Sequence, residues 1–168
     1  MRPELKEITE IEFKYCLKDF DDTYLSVKNL EKEKLNGVLR LRTEFEKENP
    51  EYIDDIMDDI NWYSFLETFL IWHFALCRLQ AVFEGFIVET FLSKDFKNGG
   101  LKRKLDGLKN KGYIIIEKDY NELIEWGNSL SHYPPPRYFY GIILEEDIIE
   151  YMEFCKRVIN DLETQKKK

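Results

Sequence analysis

Glu125-Trp126-Gly127-Asn128-Ser129-Leu130-Ser131-His132-Tyr133-Pro134 is the stretch on which the fold reading turns. It puts an Asn and a His four residues apart near the end of a predicted helix. The proline run Pro134 to Pro136 then stops that helix. Residues four apart lie on one helical face, so Asn128 and His132 can address the same ligand. Glu125 lies on the same stripe, seven residues before His132.

Working outward, the chain reads as a succession of helices. Only eight glycines and five prolines punctuate 168 residues, three of those prolines adjacent, which favours long elements. Leu5, Ile8, Ile11 and Tyr15 follow helical spacing, and the acidic run Asp19-Phe20-Asp21-Asp22 is expected to break or bend that first helix. A second run carries Tyr24, Val27, Leu30, Val38, Leu41 and Phe45 and ends at Asn49-Pro50, because the residue before proline avoids the helical region. Pro50 and the carboxylates Glu51, Asp54 and Asp55 suit the start of a third helix. It is expected over about residues 51–93, with a break near Asn61. From Trp62 to Leu92 that helix is apolar on nearly every face, the pattern of an element buried on several sides.

Asn98-Gly99-Gly100 is a loop. Leu101, Leu105 and Leu108 mark a short helix capped at Gly112. Tyr113-Ile114-Ile115-Ile116 reads as an apolar connector, since a lone strand has no partner. Asp119 is placed as the cap of the helix that carries Tyr120, Leu123, Ile124 and Leu130. Glu145-Glu146-Asp147 opens a final helix. The fold class predicted is all-α, an up-and-down helical bundle.

Composition sets further bounds. Hydrophobic residues are 43% and charged residues 35%, as in a globular protein. The formal charge of −8 argues against a general polyanion binder but leaves room for a local basic site. Residues 94–118 hold eight basic groups against Asp95, Asp106 and Glu117, a local balance of +5. Lys102, Arg103 and Lys104 are the candidate phosphate contacts there; the plain alternative is a solvated helix face. Three widely spaced cysteines, with no CxxC pair, indicate neither a zinc site nor a disulfide framework. A cytoplasmic location fits such thiols. The apolar run from Thr68 to Cys77 is shorter than the roughly 20 residues that span a bilayer, so no membrane partner is expected. No cofactor motif is found: there is no P-loop, GxGxxG, HExxH or GxSxG.

The Asn128-to-His132 spacing and the order of helices over about residues 62–163 resemble HEPN domains. These form a superfamily of small all-helical proteins that includes many metal-independent ribonucleases. The family pattern is Arg, a polar residue that is often Asn, three residues, then His. Asn128 and His132 match it, and Gly127 stands where the family has its Arg. The resemblance divides the chain into an N-terminal helical extension (1–61), a HEPN-like core (62–163) and a basic tail (164–168). It implies a homodimer that pairs these signature helices, RNA as ligand, and an antitoxin or another protein as partner in a toxin or defence setting. Some HEPN toxins carry a Tyr two residues after the His that a partner nucleotidyltransferase modifies; Pro134 stands there in this chain.

If the chain cleaves RNA, the chemistry follows from residue types. RNA supplies its own 2′-OH nucleophile. His132 is the candidate general acid or base, with Asn128 and Glu125 orienting or tuning it. The missing cation is sought in Arg78 or Arg137, which would hold the phosphate. Tyr133 is a candidate base-stacking residue. The plain alternatives are that His132 caps a helix C-terminus and that Arg78 pairs with a carboxylate such as Glu84. Gly127 tilts the reading to a degenerate member that binds RNA or protein; the alternative is a ribonuclease with its Arg supplied from elsewhere.

Overall fold

The structure, a computed structural model, describes residues 14–131 and 143–167. It is all-helical: α1 (Lys18–Glu48), α2 (Ile53–Phe91), a 3-10 turn (Lys94–Phe96), α3 (Leu101–Asn110), α4 (Glu117–Ser131) and α5 (Glu145–Lys166), with no strand among the described residues. The helical bundle read from the sequence is what the chain forms. Of the first amphipathic helix expected, all but Tyr15 lies outside the described residues.

The acidic run at Asp19 to Asp22 heads a helix. The Asp19 carboxylate accepts the Cys16 N–H at 2.7 Å, and Asp19 and Asp21 occupy the first turn, where the helix dipole favours negative charge. Asn49-Pro50 ends α1 as expected. α2 then runs 39 residues without the interruption expected near Asn61, since no Gly or Pro enters it there. At about 1.5 Å per residue it is about 58 Å long. The boundary drawn at residue 61 therefore falls inside one helix, and Phe20 and Val27 of α1 belong to the same core cluster as the rest of the chain.

The core is built on the second half of α2. Trp72, Leu76, Leu79, Val82, Phe83 and Ile87 are buried there against Leu105 and Leu108 of α3, Leu123 of α4, and Ile148, Cys155, Ile159 and Leu162 of α5. Polar ties fix the helices around it. The Trp72 indole N–H donates to Glu31 at 3.1 Å. Glu145 at the head of α5 accepts from both Tyr24 and Lys28 of α1, and those donors hold its carboxyl below the usual range. Lys111 and Lys166 donate at 2.9 Å to the carbonyls of Phe91 and Thr90, completing the C-terminal end of α2. Lys166, assigned to the basic tail, is thus docked.

Gly112 ends α3 with φ +88°, a conformation that a side chain would strain. The connector 113–116 is not a strand, yet its lone edge is satisfied: the Gln165 side-chain amide accepts the Ile114 N–H at 2.7 Å and donates to its carbonyl at 2.9 Å.

Asp119 does not cap α4, which begins two residues earlier at Glu117. It reaches across to Arg157 of α5 in a two-pronged pair at 2.8 and 3.0 Å. The guanidinium holds the Asp119 carboxyl below the ordinary carboxylate value. A depressed folded-state pKa contributes stability above the unfolded value and loses it as pH falls through the folded one. With Arg157 half exposed, the contribution at neutral pH is about 1 kcal/mol. Urea midpoints of wild type and Asp119→Asn are therefore expected to differ at pH 7 and to converge as pH falls through the folded-state pKa of Asp119. A gap that stays constant down to pH 2 would assign the loss to packing instead.

Candidate functional site

The signature stretch begins on well-placed backbone. In α4, Tyr120, Leu123 and Gly127 form the inward face, and Glu125 points away from it into solvent. Asn128 lies on the α4 backbone. Its side chain, and the whole of His132, Tyr133 and Arg137, lie outside the described residues.

Gly127 is buried where α4 crosses α2 and α3. A Cβ there would sit 2.9 Å from Leu101 Cδ2 and 3.6 Å from Gln80 Nε2. The position that carries Arg in the family pattern thus opens into the core of this chain, not onto an open face.

What Gly127 abuts is a chain of buried polar groups. The Tyr151 hydroxyl of α5 donates to Gln80 Oε1, and Gln80 Nε2 donates to Glu84 Oε1 at 2.9 Å. The Lys104 ammonium of α3 closes on Glu84 Oε2. Every member has a partner, which is what buried polar groups need. Burial pushes the Tyr151 hydroxyl and the adjacent Cys155 thiol far above their ordinary ranges, so both stay neutral at physiological pH.

This network corrects the expected basic patch. Lys104 is buried and committed to Glu84, so it does not face a phosphate. Lys102 and Arg103 are exposed on the first turn of α3, with the Arg103 guanidinium 5.6 Å from the centre of the Phe96 ring. Lys109 lies over the Tyr120 ring at 3.5 Å. Arg78, expected to pair with Glu84, does not, because Lys104 and Gln80 occupy that carboxylate. Arg78 is exposed on α2 and makes no ion pair among the described residues.

The feature the sequence reading missed lies on α2. The helix is buried on several sides, as expected, from Trp72 onward, on the faces turned to the bundle. One face stays bare. Tyr63, Leu66, Leu70, Phe74, Cys77 and Ala81 recur at steps of three and four and are all exposed, with Tyr63 at 65%, Leu70 at 63% and Phe74 at 65%. Trp62 stacks on Phe65 beside the stripe, with ring centres 6.0 Å apart. Arg78 and Glu67 edge it, and Glu67 also meets Lys34 of α1. His73 is half-buried at the other edge, its Nδ1 3.1 Å from the Phe69 carbonyl. The signal was the missing polar face: a helix with no hydrophilic side must find apolar partners for all of them.

By length and composition α2 also contains a window long and apolar enough to cross a membrane, which the shorter run at Thr68 to Cys77 did not suggest; 56% of that window is buried inside the protein. Among the described residues no group of three His, Cys, Asp or Glu side chains is placed to hold a metal ion. Comparison with protein-family models, with curated proteins and with solved structures returned no match.

Proposed function

We propose that the chain is an interaction module built on a HEPN-like bundle, and that its working surface is the bare face of α2. The observation that carries this reading is the contiguous apolar stripe from Tyr63 to Ala81. Its four most exposed large side chains, with Trp62, exceed what monomeric proteins leave scattered on a surface. The buried Gly127 supports the non-catalytic half of the reading, because the cation of the family pattern has no room there.

A photo-cross-linking phenylalanine analogue at Phe74, in cells that produce the chain, is expected to give a discrete adduct. The same analogue at exposed Asn110, on α3, is expected to give none. The Phe74 adduct is expected to vanish when Leu70→Glu is added. Absence of any adduct from Phe74 would sink the module.

The alternative is a metal-independent endoribonuclease of the toxin or defence type that uses His132 and Asn128, with an Arg supplied from elsewhere. It is favoured by the sequence spacing and by the solvent-facing Lys102 and Arg103 beside α4. Incubation of RNA in EDTA with wild type and with His132→Ala separates the two. The module reading expects no cleavage from either. Cleavage by wild type that His132→Ala abolishes, with DNA spared, establishes the ribonuclease instead.

A further inference from the structure

We infer that the bare face of α2 is covered by α2 of a second copy of this chain, packed antiparallel about a two-fold axis. The inference rests on the interaction-module reading and names its partner. It moves the pairing away from the α4 helices, where the family resemblance would put it.

The stripe is self-complementary in that direction. A two-fold near the midpoint between Leu70 and Phe74 sets Leu70 against the partner's Phe74, and Leu66 against the partner's Cys77. It also sets bulky Tyr63 against the small side chain of the partner's Ala81. Each contact occurs twice, as an isologous interface requires. Large meets small at the outer contacts, and Leu70 packs on the partner's Phe74 at the centre.

Charge points the same way. At about 100° per residue, Glu67 and Arg78 fall on the same edge of the stripe, about 20° apart. A two-fold perpendicular to the helices keeps that edge facing its own copy. It brings Glu67 to the partner's Arg78, and Arg78 to the partner's Glu67. Arg78 is the cation at this edge without an ion pair among the described residues. A parallel pair, related by a two-fold along the helices, would instead carry this edge to opposite sides of the seam and leave Glu67 and the partner's Arg78 apart.

The area suits a dimer. Aromatic side chains bury roughly 150–250 Å² each, so the exposed fractions of Trp62, Tyr63 and Phe74, with Leu66 and Leu70, leave on the order of 500–600 Å² of apolar surface. A standard interface takes about 800 Å² from each partner, somewhat over half of it apolar. A lipid surface fits less well. The approach is flanked by Asp54, Asp55, Asp58 and Asp59, all exposed, and anionic headgroups repel such a flank.

Sedimentation of the full chain between 1 and 100 µM is expected to show a species near twice the 20.3 kDa chain mass. Leu70→Glu, at a solvent-facing position, is expected to be folded and monomeric. Arg78→Glu alone and Glu67→Arg alone are each expected to weaken self-association tenfold or more, because each sets two like-charge pairs across the seam. An equimolar mixture of those two variants is expected to dimerise again, since the mixed dimer restores both opposite-charge pairs. That rescue is specific to the antiparallel register.

A clean monomer at 100 µM overturns the inference, as does a dimer indifferent to Leu70→Glu and to both charge reversals. Leu70-dependent flotation of a monomer with anionic vesicles also overturns it, in favour of lipid. The cross-link at Phe74 keeps the two proposals apart. An adduct of some mass other than two copies leaves the module standing and removes self-pairing, whereas no adduct removes both.

Discussion

Lys104→Met is expected to lower the unfolding free energy by about 3 kcal/mol, whereas Lys102→Ala, two residues away, is expected to change it by less than about 0.5. The two lysines look alike in sequence and differ in surroundings. Lys102 is solvated. Lys104 is buried, and its ammonium neutralises a Glu84 carboxylate that is itself largely withdrawn from water. Removing the cation leaves that charge with the Gln80 amide alone. A buried ion pair is weak evidence for stability as a pair, but breaking one partner is costly because an uncompensated charge remains. The same logic predicts rescue. Glu84→Gln in the Lys104→Met background removes the stranded charge and is expected to recover at least about 1 kcal/mol. Urea titration of the four proteins measures both effects. A Lys104→Met no worse than Lys102→Ala would return this lysine to the surface.

Gly127→Arg is expected to unfold or severely destabilise the protein, by about 3 kcal/mol or more, and to confer no ribonuclease activity. Two effects compete. Removing a glycine from a helix interior favours the helix by about 1 kcal/mol. Against that, the new side chain meets Leu101 within 2.9 Å at its first carbon and would drive a guanidinium toward Gln80 and the buried network. Overpacking alone costs about 1–3 kcal/mol, and a desolvated charge adds to it. Gly127→Ala isolates the first effect, because the nearest atom is the far methyl of Leu101, which can turn aside. It is expected to lie within about 1 kcal/mol of wild type. Thermal melts of the three chains decide. A well-folded Gly127→Arg would mean that α4 presents this position outward.

Both outcomes were partly legible in the sequence, and the reason they were missed is physical. Leu101, Leu105 and Leu108 define the inward face of α3, and Lys104 stands three residues after the first and four before the last. It was therefore on the buried face by spacing, but a run of three basic residues reads most easily as solvated. Gly127 follows Leu123 by four and Tyr120 by seven, the same inward register, yet the motif drew attention to its chemistry and away from its face. The helix boundaries were clearer. Asn49-Pro50, Asn98-Gly99-Gly100 and Glu145-Glu146-Asp147 act locally on the backbone, so no tertiary contact is needed to read them. Asp119 shows the opposite case: its partner, Arg157, is 38 residues away, and nothing nearby distinguishes that pair from a local cap. The bare face of α2 lies between these extremes. Apolarity on every side states that each side seeks burial, but it does not state which neighbour supplies it.

The unbroken course of α2 also sets an order of events in time. The hairpin of α1 and α2 joins elements adjacent in the chain, and contacts of lower sequence separation form early. The helix that covers its inner face, α5, ends at Lys166, 75 residues after Phe91. At about 5–20 residues per second, a ribosome takes roughly 4–15 s to deliver it. During that interval α2 has two bare sides, one destined for the bundle and one not. The nascent chain must keep them from exchanging roles, and the carboxylates at Asp54, Asp55, Asp58 and Asp59, which emerge first, mark the outer end of the rod with a charge that neighbouring nascent chains share and therefore avoid.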